Sequence, residues 1–187
     1  VDGKEVGATG AEWLAGKRGG EGGIIALNGS AGIPTSDGRW AGAQEVFAED
    51  PDIGIVSTID GQWDQATART AVEDVRAADP DIDGVWSQGG SMTLGAIEAF
   101  EAAGVSLVPM TGEDSNGLLK KWQSLLDSGD TDFDAIPVAK PTWISATALE
   151  TAIAAVEGET VEKDQILTPE VITEENLAEF VRADMPD

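Results

Sequence analysis

Short, nearly continuous apolar runs alternate along this chain with stretches whose apolar residues recur at helical spacing, and that alternation leaves few folds open. The runs fall at 23–28 (GIIALN), 53–58 (IGIVST), 84–87 (GVWS), 105–110 (VSLVPM) and 135–139 (AIPVA). Between them lie 39–48, 65–78, 92–103 and 118–128, with Ala68, Val72 and Val75 on one helical stripe and Leu94, Ile97 and Phe100 on another. Runs of four to six residues that are nearly continuous in Ile, Val and Leu suit strands buried on both faces, which means a parallel sheet covered by helices. The turns agree: Asp50-Pro51-Asp52, Asp79-Pro80-Asp81 and Ala103-Gly104 each close a helix before the next strand. The order is β-α-β-α, and the expected fold class is α/β with a doubly wound parallel sheet. In such sheets ligands bind outside the carboxyl ends of the strands, at a topological switch point.

After Ser128 the composition shifts to an Asp- and Pro-rich segment (GDTDFDAIPVAKPTW), followed by a helical pattern at 145–156, a strand-like stretch at 165–172 and a last helix at 174–183. Thr173, Asn176 and the pair Glu174-Glu175 suit the start of that helix. The opening stretch is polar and helix-compatible and starts at Val1, without an initiating Met or a recognisable signal peptide, so it reads as the interior of a longer protein. No apolar segment is long enough to span a bilayer.

Charge and missing residue types narrow the function. Eleven Lys and Arg stand against 35 Asp and Glu, a net charge of −24, which opposes nucleic acid and anionic membrane surfaces. There is no Cys, His or Tyr, so the thiol nucleophile, the usual general base and the commonest metal ligand are all missing. The expectation is binding without chemistry: no enzyme, no catalytic residue, no cofactor and no metal. Asp79-Pro80-Asp81-Ile82-Asp83-Gly84 imitates half of an EF-hand loop, but its closing Glu would fall at Gly90; Asp130, Asp132 and Asp134 fail likewise, with Ala135 where Gly is required.

The loops after the strands carry the chemistry. After the first come Asn28-Gly-Ser-Ala-Gly and then Ser36, Asp37 and Arg39; Arg39 reads either as a guanidinium fork for a ligand or as a surface residue paired with Asp37 or Glu45. After the second, Asp64 suits a helix N-terminus and Trp63 reads mainly as a packing anchor. After the third, Trp86 and Gln88 offer a stacking face beside an amide, with a core Trp as the equal alternative. After the fourth, Glu113, Asp114 and Asn116 exceed what a turn needs, and adjacent carboxylates on an extended backbone point to opposite sides, so one carboxylate accepting ligand hydroxyls is preferred to an acid/base pair.

At these residues the chain resembles the class I periplasmic sugar-binding proteins, the ribose-binding-protein-like substrate receptors of ABC transporters. The motifs are GIIALNGSAG, RWAG, GQWD, PDIDGVWSQGG with LGAIEAFEAAG, VPMTGEDSNG, and PTWISATALETAIAAVEGE followed by TPEVITEEN, in order along nearly the whole chain. The resemblance implies a type I binding-protein lobe with flavodoxin-like strand order and a partial second lobe. Residues 1–133 would form the second, C-terminal ligand-binding lobe, 134–160 would return to the first lobe through the hinge, and 161–187 would cross back and end in a helix; most of the first lobe would lie upstream. It places Arg39 and Asp114 at ligand-binding positions and Trp143 near a further contact. The chain departs from the family at Gly89-Gly90, where many members carry Asn-Asp, which moves weight in that loop to Trp86 and Gln88. The implied function is an extracytoplasmic receptor, periplasmic or extracellular with a lipoprotein anchor allowed, monomeric when complete, delivering a sugar to a membrane permease. The rivals are the effector domain of a LacI-type transcription regulator, with which a −24 domain sits badly, and a carboxylate-based glycoside hydrolase.

Overall fold

In the computed structural model, which describes residues 2–129, 133–139 and 143–186, the alternating pattern becomes seven helices and six strands among the described residues. They are α1 (Gly3–Arg18), β1 (Glu21–Asn28), α2 (Pro34–Phe47), β2 (Asp52–Asp60), α3 (Gln65–Ala78), β3 (Gly84–Ser87), α4 (Gly90–Ala103), β4 (Met110–Glu113), α5 (Asn116–Asp127), β5 (Ala135–Ala139), α6 (Ile144–Val156), β6 (Glu170–Val171) and α7 (Leu177–Phe180). The sheet order is β2-β1-β3-β4-β5-β6, parallel except for the last strand, which runs antiparallel to β5. This is the doubly wound α/β sheet expected, with one antiparallel edge strand added. Its switch point lies at β1, whose two neighbours are β2 and β3.

Successive residues of β1 explain the two layers. Ile24 and Ala26 join Leu14, Phe47 and Trp86 on one side, and Ile25 and Leu27 join Val72, Ile97 and Phe100 on the other. Burying each large side chain on both faces stabilises the sheet by about 1.5–3 kcal/mol.

One helix pair fits unusually closely. A Cβ on Gly7 of α1 would lie 1.9 Å from the Arg39 carbonyl oxygen of α2, and one on Gly42 would lie 2.0 Å from the Lys4 carbonyl oxygen. The two backbones touch only because neither glycine has a side chain. This contact fixes where α2 presents Arg39.

Three expectations are corrected. The apolar run 105–110 is strand only from Met110. Pro109 has no N–H to donate, although its carbonyl accepts from the Val85 N–H at 3.0 Å, and Val105 is exposed. Only Glu170–Val171 of the 165–172 stretch pairs as strand. The last helix is four residues, not ten, because both its ends are held by side chains: Asn176 Oδ1 accepts from the Thr173 N–H at 2.7 Å, and Asn116 Oδ1 accepts from the Arg182 N–H at 3.0 Å. Asp130 and Asp132 lie outside the described residues. β5 belongs to the same sheet as β1 to β4, whereas α6 buries none of its residues, with Leu149 62% and Val156 89% exposed.

Candidate functional site

Four loops converge at the carboxyl end of the sheet. The β1–α2 loop enters α2 through Pro34 in its first turn, where a missing N–H costs nothing, and Arg39 follows in the second turn. Arg39 is buried. Its Nη1 donates to the Gln88 carbonyl oxygen at 2.9 Å, its Nη2 stands 2.6 Å from Glu113 Oε1, and its guanidinium lies 5.7 Å from the centre of the Trp63 ring. Neither surface alternative holds. Asp37 is exposed and accepts from the Gly32 N–H at 3.2 Å, while Glu45 pairs with Lys4 at 2.7 Å.

Gln88 ties the loops together. Its side-chain amide donates to Asn28 Oδ1 at 2.7 Å and to the Ser36 carbonyl oxygen at 3.0 Å, and its Oε1 accepts from the Gly29 N–H at 3.2 Å. Both Gln88 and Ser36 are buried, so they hold the shape of the β1–α2 loop rather than offering groups to solvent.

Trp86 is core. It is 2% exposed, its Nε1 donates to the Gly7 carbonyl oxygen at 3.1 Å, and its ring meets Trp40 in a tilted pair 5.4 Å apart. It therefore offers no stacking face, and the expectation of one is corrected. A buried indole finds a partner for its N–H, here the same glycine whose absent side chain lets α1 touch α2.

Trp63 takes the exposed ring's place. It is half-buried and, with Gln62, adopts a left-handed backbone, φ 60 and 56. For a bulky residue this is an outlier, and such outliers cluster at binding sites. The ring lies in a slot between glycines: a Cβ on Gly29 would stand 2.1 Å from it, and one on Gly89 3.1 Å. Gly29 is thus the glycine that the Trp63 ring requires, and Gly89 closes the slot on the other side. The signal was present in sequence only as three separate facts, a Trp after the second strand and glycines after the first and third.

Trp63, Gly89, Ser91, Glu113, Asp114 and Ser115 line a hollow of about 350 Å³. A second hollow of about 550 Å³, apolar and open, lies on the other side of Arg39 and is walled by Val6, Pro34, Val138, Ala139 and Ile144. Arg39 and Glu113 stand between the two.

One expected ligand residue is otherwise engaged, and another stands apart from the hollow. The Asn116 side-chain amide donates to the carbonyl oxygens of Arg182, Met185 and Pro186 at 2.9, 3.0 and 2.9 Å, so it clamps the C-terminal segment. Lys120 Nζ adds a bond of 2.6 Å to the Met185 carbonyl. Trp143 is 49% exposed at the start of α6. The structure brings together Arg39, Gln88, Ser36 and Glu113 with Trp63, places Asp114 beside them, and leaves Trp86, Asn116 and Trp143 out.

Asp64 caps α3, its Oδ1 accepting from the Thr67 N–H at 2.8 Å and the Thr67 hydroxyl at 2.7 Å, and these bonds hold its carboxyl below the usual range. A depressed carboxylate contributes stability above its unfolded value and loses it as pH falls through the folded one. Asp64→Ala is therefore expected to lower the thermal midpoint at pH 7, and the gap from the wild type should shrink as pH drops below the ordinary Asp range. A gap that stays constant through that window would show that the charge of the cap does not matter.

Among the described residues no group of three or more His, Cys, Asp or Glu is placed to hold a metal ion, and no helix is long and apolar enough to cross a membrane.

This chain belongs to the periplasmic binding protein domain family, whose model matches residues 1–160. Among individual relatives, it is 30% identical over 173 residues to the xylitol-binding protein of Mycolicibacterium smegmatis, covering 92% of this chain and 48% of that protein. It is 28% identical over 157 residues to the D-allose-binding periplasmic protein of Escherichia coli, covering 83% of this chain and 49% of that one. Among solved structures, an ABC transporter periplasmic solute-binding protein from Actinobacillus succinogenes with bound D-allose superposes with a TM-score of 0.84 at 26% identity, covering 96% of this chain and 63% of that one. The chain spans about half the length of the curated relatives it matches.

Proposed function

We propose that the full-length protein is an extracytoplasmic receptor that binds a sugar or related polyol without chemical change and presents it to an ABC transporter permease. The observation that carries this reading is the meeting of Arg39, Glu113 and the half-buried Trp63 ring at the carboxyl end of the sheet. A polyhydroxy ligand needs a ring to cover its C–H face and charged or amide groups to pair its hydroxyls, and both stand there. The relatives named for xylitol and D-allose, and the related structure holding D-allose, support the same ligand class.

In this reading residues 1–133 form one wall of the cleft. The apolar residues that α6 exposes, Ile144, Leu149, Ile153 and Val156, dock on a facing lobe formed by the rest of the full-length protein. Closure of the two lobes excludes water, and the closed form is what a permease recognises. Asp114 supplies an acceptor for ligand hydroxyls, and Trp143 lies near the hinge.

The test is a Trp-fluorescence and calorimetric screen of the full-length protein against pentitols, pentoses, hexoses and inositols. One or more should bind and change the emission, and Trp63→Ala should weaken that ligand by about tenfold, about 1.4 kcal/mol. Silence toward the whole panel would overturn the receptor reading.

A further inference from the structure

Arg39 and Glu113 are a matched pair of opposite charges held almost out of water, their side chains 9% and 11% exposed and 2.6 Å apart. The guanidinium is engaged on several sides: Nη1 by the Gln88 carbonyl, Nη2 by the carboxylate, and one face by Trp63. An arginine that serves to capture a ligand carboxylate would present its fork open, as two parallel donors. Here Glu113 already occupies the place a ligand carboxylate would take. The adjacent hollow adds a second carboxylate, Asp114, and the hydroxyls of Ser91 and Ser115, and no Lys or Arg lines it.

We propose that Glu113 is a specificity-determining residue: it is the built-in counter-ion of Arg39, and through it the site accepts uncharged polyols and sugars and excludes sugar acids of the same shape. The inference rests on the receptor reading and goes beyond it, because the fold and the ring alone would serve either class. An acid entering this hollow must approach Glu113 and Asp114 in surroundings where like charges repel far more strongly than in water, with the neighbouring Arg39 already neutralised. A hydroxyl entering the same place donates to those carboxylates. Removing the charge at 113 leaves the Arg39 fork with a free donor and an unbalanced positive charge, which a ligand carboxylate can then answer.

The experiment uses the full-length protein and two matched pairs, xylitol with D-xylonate and D-allose with D-allonate, titrated by calorimetry at 0.15 and 1 M NaCl. The unaltered protein should bind the neutral member of at least one pair at least a hundredfold more tightly than its acid. That ratio should persist at 1 M salt, where the long-range field of a −24 chain is screened but a buried pair is not. Glu113→Gln should shrink the ratio by tenfold or more, chiefly by gaining affinity for the acid, and Glu113→Asp, which keeps the charge, should stay within about threefold of the unaltered protein. Circular dichroism and the thermal midpoint check that each variant is folded. If Glu113→Gln does not fold, the unaltered protein and Glu113→Asp decide: equal affinity for acid and polyol in either overturns the proposal. A folded Glu113→Gln that keeps the full ratio, or that loses the polyol and gains nothing for the acid, overturns it while leaving the receptor reading intact. Binding of no member of either pair overturns the proposal, and silence toward the wider panel as well overturns the receptor reading with it.

Discussion

Replacing Arg39 by methionine is expected to lower the stability of the full-length protein by about 3–5 kcal/mol near neutral pH, because Glu113 would remain buried with its charge unanswered. Methionine keeps much of the side-chain length, so lost packing contributes little and the effect isolates the ion pair. The bond to the Gln88 carbonyl also goes, and with it the link between α2 and the β3–α4 loop. At roughly 2–4 °C per kcal/mol for a domain of this size, the thermal midpoint should fall by about 10 °C. The paired change Arg39→Met with Glu113→Gln should recover most of the loss, since a buried ion pair exchanged for neutral groups is often close to neutral in energy. Urea unfolding of the two single variants and the double variant measures the coupling directly. A single variant as stable as the wild type would mean that water reaches the pair freely.

The second large effect belongs to a residue with no chemistry. Gly7→Ala is expected to cost about 3 kcal/mol, the upper end of overpacking, because the added methyl would stand 1.9 Å from a backbone oxygen of α2 rather than from a side chain that can turn aside. The helices must part, and Arg39, whose own carbonyl is the atom struck, moves with α2. Ligand affinity should therefore fall together with stability, although Gly7 lies outside the binding hollow. Gly16→Ala provides the control. It is in the same helix with nothing within 4 Å of the new atom, and it should be neutral or stabilising by up to about 1 kcal/mol as a helical Gly→Ala change. Equal behaviour of the two variants in denaturant unfolding would remove the close contact as an explanation.

Most of the fold was legible because burial on two faces leaves a mark that needs no partner to be read. The run 84–87 and the helix 65–78 were placed to the residue, and Asp64 could be assigned to a helix start from its position alone. What failed was decided by single backbone groups or by distant residues. Pro109 delays β4, although its neighbours are as apolar as those of any strand. Asn116, attractive beside two carboxylates, is taken by the carbonyls of a segment more than sixty residues away. Trp63 and Trp86 exchanged roles for the same reason. Each follows or ends a strand, but one finds a slot between Gly29 and Gly89, and the other a carbonyl at Gly7. Arg39 was conspicuous as one of eleven cations, yet which of many acids would face it depended on the end of β4, which buries Glu113.

The antiparallel pairing of β5 with β6 has a mechanical consequence. The chain leaves the sheet at Ala139, carries α6 outward, and rejoins the same sheet edge at Glu170, with Ala139 opposite Glu170 and Val138 opposite Val171. The two pairings act as adjacent pins, so that both ends of the segment carrying α6 are held at one place on the sheet edge. The beginning of α5 then ties the terminal segment back through Asn116, so the second pin is itself fastened to the body that holds the site. A segment held at one end only could fray from the sheet, whereas this one must lose both pairings before it comes away.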